Sequence, residues 1–112
     1  MASHDVEIIK KIEKAIGKSL PKVDKLDDFE RGYVVDEQGQ VTALSLFRTR
    51  LSDYSFLKEL KQLNTLELSF NQISDISFLK ELSDLQTLDL SSNQISDYSF
   101  LKELGQLQTL NL

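Results

Sequence analysis

The chain repeats itself with a 22-residue period. The segments 63–84 and 85–106 are identical at most of their positions, including the stretches Asn-Gln-Ile-Ser-Asp and Ser-Phe-Leu-Lys-Glu-Leu. The same phase extends back to Val41 and forward to Leu107 without an insertion. A fixed period of about 20 residues predicts a solenoid, in which each repeat stacks on the next and shares a continuous core with it.

Apolar residues fall at seven fixed positions of each repeat. In the segment 63–84 they are Leu63, Leu66, Leu68, Ile73, Phe78, Leu79 and Leu82. The Leu-x-Leu spacing has a period of two and predicts a short strand with one buried face. The later Ser-Phe-Leu-x-x-Leu spacing predicts about two turns of helix. We expect parallel strands near 43–46, 65–68, 87–90 and 109–112, alternating with helical turns near 54–60, 76–82 and 98–104.

Position nine of the repeat is Asn71 in the second copy and Asn93 in the third. The chain must turn off the strand here while it remains buried. An asparagine amide can pair with backbone groups that such a turn would leave without partners. We therefore expect an asparagine ladder in register with the stacked repeats, with Thr49 as a weaker substitute in the first copy.

Residues 1–20 predict an amphipathic helix. Apolar residues recur at helical spacing at Val6, Ile9, Ile12 and Ile16. Either Ser3 or Asp5 can serve as the N-cap, because each side chain can accept a first-turn N–H. Gly17 is a plausible end, since glycine tolerates the positive φ of a helix C-cap.

Residues 31–46 predict a β-hairpin whose turn contains Gly39, which is free to take a positive φ. The second arm doubles as the first strand of the repeats, so the hairpin would close an exposed sheet edge. We expect an N-terminal cap over residues 1–40 and the 22-residue repeats over residues 41–112. The individual repeats are 41–62, 63–84, 85–106 and a partial copy, 107–112.

The pattern Leu-x-x-Leu-x-Leu-x-x-Asn-x-Ile-x-Asp resembles the leucine-rich repeat family, and its 22-residue length resembles the bacterial, internalin-like repeats. The resemblance implies a short α/β solenoid, with a parallel β-sheet on the concave face and helical turns on the convex face. The N-terminal helix and Tyr-containing hairpin resemble the start of the leucine-rich domain in bacterial Roco proteins, which are multidomain GTPases. The chain lacks the phosphate-binding motif G-x-x-x-x-G-K-[ST]. Any GTPase domain would therefore lie outside this chain.

The composition argues against several classes of partner and of functional site. The net charge is −5, which disfavours nucleic acid and anionic membranes as partners. There is no cysteine and only one histidine, so the sequence offers no thiolate or histidine-based metal site. The apolar runs are shorter than the roughly 20 residues that cross a bilayer. We expect a cytoplasmic protein that is not an enzyme and that carries no cofactor.

Three sets of charged residues are considered for a functional role. The ladder Asp53, Asp75 and Asp97 could bind a metal, but helix capping by each aspartate is the simpler interpretation. Asp27-Asp28 and Asp36-Glu37 could act as acid–base pairs, but no apolar pocket or nucleophile accompanies them, so solvated loop charges are favoured. The repeated Lys-Glu pairs, of which Lys58-Glu59 is the first, are typical of a solvated convex face.

The concave face offers a candidate binding site. Positions 3, 5, 7, 8 and 10 of each repeat are predicted to point away from the core or to follow the strand. Unlike the third repeat, the first two carry aromatic and cationic residues there. Exposed aromatic residues beside arginine are typical of binding hot spots. The predicted protein-binding residues are Phe47, Arg48, Arg50, Glu67 and Phe70. The alternative is that Phe47 and Phe70 pack on each other or under the cap.

The partial fourth repeat predicts an open apolar end. Residues Leu107, Leu110 and Leu112 would lie there without a closing helix, although a solenoid needs a polar terminal cap. We expect a fragment, an engineered piece or half of an assembly, with a homodimer formed through this end. The leading function is a protein–protein interaction module from a larger protein such as a Roco-type GTPase. The alternative is a structural, self-assembling repeat block, possibly engineered, without a cognate ligand.

Overall fold

The computed structural model describes residues 4–27 and 30–112. One α-helix, α1, spans His4–Ile16, and five strands follow it. The strands are β1 (Gly32–Val35), β2 (Val41–Ser45), β3 (Thr65–Glu67), β4 (Thr87–Asp89) and β5 (Thr109–Asn111). Between successive parallel strands lie three short 3₁₀ helices, at Ser55–Glu59, Ser77–Glu81 and Ser99–Glu103.

The strands form one sheet in the order β1-β2-β3-β4-β5. Strand β1 pairs antiparallel with β2, and all later neighbours are parallel. Ala43 pairs with Thr65, Thr65 with Thr87 and Thr87 with Thr109, so the register follows the sequence period. The α/β solenoid with parallel strands is confirmed.

The hairpin forms as the sequence predicts. The Asp36 carboxylate accepts the N–H groups of Gln38 and Gln40 at 2.9 and 3.0 Å, and Gly39 has a φ of 78°. This turn delivers β1 to the outer edge of β2. The N-terminal edge of the parallel sheet is thereby paired.

The convex helices are shorter than predicted. Each is a five-residue 3₁₀ segment of the sequence Ser-Phe-Leu-Lys-Glu, whereas the ranges predicted for the helical turns each span seven residues. In a 3₁₀ helix, side chains three apart in sequence lie on the same side. Leu57 and Leu60 have this spacing and both are fully buried, so the shorter helix satisfies the apolar pattern.

Helix α1 differs from its prediction at the N-terminal end and ends at the predicted Gly17 stop. Ser3 lies outside the described residues, and the prediction that Asp5 is an N-cap is wrong. Asp5 lies inside the first turn, is buried, and accepts the Val41 N–H at 2.8 Å through Oδ2. The helix does not continue to Leu20 but ends at Ile16, where the predicted stop Gly17 takes a φ of 74° and its N–H bonds to the Glu13 carbonyl at 2.9 Å.

One continuous core runs from the helix through the repeats. Ile8, Ile9 and Ile12 of α1 join the same buried cluster as the strand leucines. The strand leucines Leu44, Leu66 and Leu88 have no exposed surface, whereas Leu110, next in register, is 41% exposed. The core is therefore covered at the helix end and open at β5.

Candidate functional site

The Asn71 side chain fixes the turn that follows β3. Its Nδ2 donates to the carbonyls of Leu46, Leu68 and Ser69 at 2.8, 2.9 and 3.2 Å. Its Oδ1 accepts the Arg50 N–H of the preceding repeat at 2.8 Å. Asn71 is buried, so the predicted role of this amide in the turn is confirmed.

Asn93 repeats the arrangement one turn further along the stack. Its Oδ1 accepts the N–H groups of Asn71 and Ile73 at 3.2 and 2.8 Å. Its Nδ2 donates to the carbonyls of Leu68, Leu90 and Ser91. Because the bonds connect neighbouring repeats, the asparagines hold the turns in register with one another.

The first repeat uses two side chains in place of one asparagine. The Thr49 hydroxyl donates to the Leu46 carbonyl at 3.1 Å and lies 3.0 Å from the Tyr54 hydroxyl. Tyr54 Oη in turn accepts the Leu51 N–H at 2.9 Å. The repeat pattern predicts Thr49 alone at this position, and the contribution of Tyr54 is visible only in the structure.

The residues on either side of position nine adopt positive φ, with the exception of Gln94 in the third repeat. At position eight φ is 53° for Arg48, 63° for Phe70 and 57° for Ser92. At position ten it is 52° for Arg50 and 65° for Gln72. Residues with a Cβ rarely adopt this conformation. Here it recurs from repeat to repeat, so it belongs to the turn itself rather than to one site.

Phe47, Arg48 and Phe70 form a compact cluster at the carboxyl ends of β2 and β3. The two phenyl rings meet edge to face, with centroids 5.4 Å apart and an interplanar angle of 89°. The Arg48 guanidinium carbon lies 5.4 Å from the Phe47 centroid and 5.3 Å from the Phe70 centroid. The rings therefore do pack on each other, and they also carry a cation.

Arg31 completes this cluster, although the sequence did not predict its role. Its Nε donates to the Phe47 carbonyl at 2.8 Å and its Nη2 to the Arg48 carbonyl at 2.6 Å. Arg48 and Arg50 themselves are exposed. The chain has no arginine besides Arg31, Arg48 and Arg50, and we call these three the arginine corner. Their rarity was the signal available in the sequence.

Two serines on the predicted concave positions turn out to be buried. Ser45 is fully covered and its hydroxyl donates to the Glu30 carbonyl at 2.6 Å, and Ser69 is also buried. The segment before β1 therefore lies over the carboxyl end of β2. A position that was predicted to point away from the core is therefore not exposed at Ser45 or at Ser69.

A groove of about 530 Å³ follows the concave face beyond the corner. Leu26 and Asp27 contribute from the segment before β1, while Asp28 and Phe29 lie outside the described residues. The strands contribute mainly polar side chains and one ring. They include Thr65, Glu67, Ser69, Phe70, Thr87, Asp89, Ser91, Thr109 and Asn111. Glu67 and Phe70 thus share the groove with each other, and Phe70 connects it to Arg48.

The convex aspartates act on the backbone. Asp53, Asp75 and Asp97 each accept, at 2.9 Å, the N–H of the serine two positions later. That backbone bond, with help from the serine hydroxyl, holds the pKa of each carboxyl below its ordinary value. Over residues 4–27 and 30–112 there is no cluster of three His, Cys, Asp or Glu side chains that could hold a metal ion.

The last strand exposes its apolar residues. Leu110 is 41% and Leu112 is 55% exposed, while Leu107 is half-buried against the core. Strand β5 pairs with β4 along one edge. Within the described part of the chain, no helix is long and apolar enough to span a bilayer.

One family of known proteins matches part of the repeats. Residues 40–81 match a family described as Leucine Rich repeats (2 copies). This part of the chain is similar to leucine-rich repeats. Leucine-rich repeats generally serve as interaction elements rather than as enzymes, and they generally bind protein partners.

Solved structures similar to this chain include two internalins from Listeria monocytogenes. Internalin C2 has a TM-score of 0.62 at 19% identity, over 99% of this chain and 79% of the internalin. A second internalin has 27% identity over 72% of this chain and 32% of its own, with a TM-score of 0.48. The first likeness shows the fold. No curated protein matches the chain.

Proposed function

We propose that this leucine-rich repeat chain binds a protein partner through Phe47, Arg48, Arg50, Glu67 and Phe70, hereafter the interaction surface. The observation that carries the proposal is the Arg48 guanidinium, which lies over two phenyl rings beside an open groove. Arginine and aromatic residues dominate the energetics of known protein interfaces. Their packing against one another also lowers the side-chain entropy lost on binding.

The repeats themselves indicate that the fold does not require these residues. Phe47 is replaced by Ser69 and Ser91 in the later repeats, Phe70 by Ser92, and Arg50 by Gln72 and Gln94. The backbone conformation is kept nevertheless, since Ser92 has the same positive φ as Phe70. Large apolar and cationic side chains at these positions are thus available for binding.

The test is selection of peptides from a display library, followed by affinity measurement with variants taken from the chain's own repeats. Phe70→Ser and Arg48→Ser introduce the residue of the third repeat and should each weaken the selected peptides about tenfold, the effect of a modest hot spot. Lys102→Ser, on the convex side, is the control and should leave affinity unchanged. Peptides that bind equally well to all three variants would exclude the interaction surface.

Self-association is a second candidate, supported by the exposed Leu110 and Leu112 at the last strand. A two-fold pairing through Leu107, Leu110 and Leu112 would cover these side chains and complete the strand edge. Light scattering should then show a homodimer at high micromolar concentration. Leu110→Asp together with Leu112→Asp should give a monomer, while a monomeric parent chain would rule the dimer out.

We further propose that residues 1–40 form a cap on the repeats of 41–112, and that the chain is part of a larger cytoplasmic protein of Roco type. The order of α1, β1 and β2 supports the proposal, because the Roco resemblance rests on a helix followed by a hairpin. Sequencing the flanking gene tests the parent: a phosphate-binding loop G-x-x-x-x-G-K-[ST] should follow in the same reading frame. Fractionation of cells tests the location.

A further inference from the structure

The chain concentrates its arginines in one place. It has 13 lysine and arginine residues in total. Arg48 and Arg50 lie in the turn that follows β2, and the Arg31 side chain bonds to the backbone of the same turn. The chain as a whole carries a net charge of −5. Arginine differs from lysine in presenting a planar fork of donors that matches a carboxylate. This corner is therefore chemically distinct from the rest of the surface.

The geometry leaves Arg48 prepared to bind an anion. Its guanidinium lies over two phenyl rings, and its N–H donors radiate in the plane of the group. The ion pairs among the described residues join His4 to Glu59, Lys10 to Glu7 and Lys61 to Glu81. None of those pairs uses an arginine, so within residues 4–27 and 30–112 no carboxylate neutralises the corner.

Arg31 holds the backbone of the arginine corner in place. Its two bonds to the carbonyls of Phe47 and Arg48 fix the backbone that carries the Arg48 side chain. The Arg50 backbone is fixed by Asn71 in the same way. The cationic side chains thus extend from a rigid base, which lowers the entropic cost of holding a partner.

The adjacent groove has the opposite charge. Glu67 and Asp89 are in-register neighbours on β3 and β4, and Asp27 also lines the groove. Each strand carboxylate accepts a backbone N–H, from Ser69 and Ser91 respectively. A negative group would be attracted to the corner and repelled along the groove.

We infer that the interaction surface takes an extended peptide segment that presents one acidic side chain to Arg48 and Arg50 and uncharged or basic residues to the groove. The inference rests on the proposed function and adds the chemistry of the partner. Charge complementarity selects the acidic anchor, and the groove of about 530 Å³, lined by hydroxyl groups, suits the following residues of a peptide. A uniformly acidic segment is disfavoured by Glu67 and Asp89.

The experiment uses the whole chain and a display library of random octapeptides. Peptides selected on the parent chain should be enriched in Asp or Glu at one position, with Lys, Arg or uncharged residues beside it. The best peptide is then synthesised in two forms that differ by Glu→Gln, or by Asp→Asn, at that position. The acidic form should bind about tenfold more tightly, as expected for a charge-assisted pair.

The same two peptides are measured on Arg48→Ser and Arg50→Gln, both of which import residues from later repeats. Their preference for the acidic form should fall to about twofold or less if the pair is removed. Arg48→Lys keeps the charge but loses the planar fork, and should give an intermediate preference. Thermal unfolding of each variant verifies that it folds.

The three outcomes of the experiment separate the acidic anchor from the interaction surface. Peptides without an acidic preference that lose affinity on Phe70→Ser would overturn the acidic anchor and keep the interaction surface. A preference that persists on both arginine variants would likewise overturn the acidic anchor. A library that yields no binder would count against both.

Discussion

The turn after each strand contains two kinds of residue side by side. At position nine the side chain points inward, and the Asn71 amide makes hydrogen bonds to three backbone carbonyls and one backbone N–H. At positions eight and ten the side chains point outward, and Arg48 and Gln72 are exposed. The backbone is constrained at all three positions, but only the middle side chain is required by the fold.

This difference explains how one repeat can be both regular and variable. The buried asparagine supplies partners that water would otherwise have to supply, so its removal leaves backbone groups unpaired. The outward positions demand only a backbone conformation, the positive φ that Arg48, Phe70 and Ser92 all adopt. A binding surface can therefore change without disturbing the stack.

Among the variants that test this comparison, Asn71→Ala should lower the stability most. It removes the acceptor of the Arg50 N–H and the donor to three carbonyls in a buried site, and should lower the free energy of unfolding by about 2–3 kcal/mol. Gln72→Ala, at the next position, is the control and should change it by less than about 0.5 kcal/mol. Urea denaturation measures both, and equal midpoints would contradict the comparison.

Asn93→Ala tests whether burial sets the size of the effect. Asn93 makes the same kind of bonds as Asn71 but is only half-buried, so water can replace part of what is lost. We expect a loss of about 1–2 kcal/mol in the free energy of unfolding, smaller than for Asn71. Gln94→Ala is its matched control. A larger loss at Asn93 than at Asn71 would show that stacking, not burial, decides.

Glycine substitutions separate the cost of positive φ from the cost of the side chain. Gln72 has a φ of 65°. Gln94, at the same position of the third repeat, does not have a positive φ. Gln72→Gly should raise the stability by up to about 1 kcal/mol, because glycine adopts this conformation freely. Gln94→Gly should lower it by about 0.5–1 kcal/mol. Thermal unfolding measures both changes in stability, and changes of the same sign for the two variants would refute the distinction.

The smallest effect is expected on the convex side, where the acceptors are fully exposed. The pKa values of Asp53, Asp75 and Asp97 are lowered in the folded chain, so their contribution to stability is present above the unfolded pKa. It is lost as the pH falls through the lower, folded values. Replacing all three with Asn should flatten the acid-side loss of stability below about pH 4. If the loss of stability at acid pH is unchanged in this variant, these bonds contribute nothing measurable to the stability of the fold.

The elements that repeat were predictable from the sequence, because a contact used three times leaves a pattern. The strand leucines such as Leu66, the strand register and the roles of Asn71 and Asn93 all followed from periodicity. Contacts that occur once left no such pattern. Asp5 binding to Val41 and Arg31 binding to Phe47 join residues far apart in the chain, and only the folded structure brings them together.

Part of the candidate site could likewise be predicted from the sequence, and part could not. Phe47 and Phe70 stood out because they occupy positions where the next repeat has serine, but their distance and the placement of Arg48 over them depend on side-chain geometry. The burial of Ser45 depends on the path of the segment before β1, which carries no repeat. The helices on the convex side came out shorter because spacing alone does not distinguish the 3₁₀ helix from the α-helix.

The asparagine bonds run in one direction along the stack, and this gives the solenoid a polarity. Asn71 closes the turn of the repeat before it through the Arg50 N–H, and Asn93 closes the next through Ile73. Opening the third repeat therefore releases the turn of the second, whereas opening the first leaves the second turn closed. In hydrogen exchange, the Ile73 amide should report the opening of the third repeat and the Arg50 amide that of the second. Protection should thus be lost repeat by repeat from β5 toward α1.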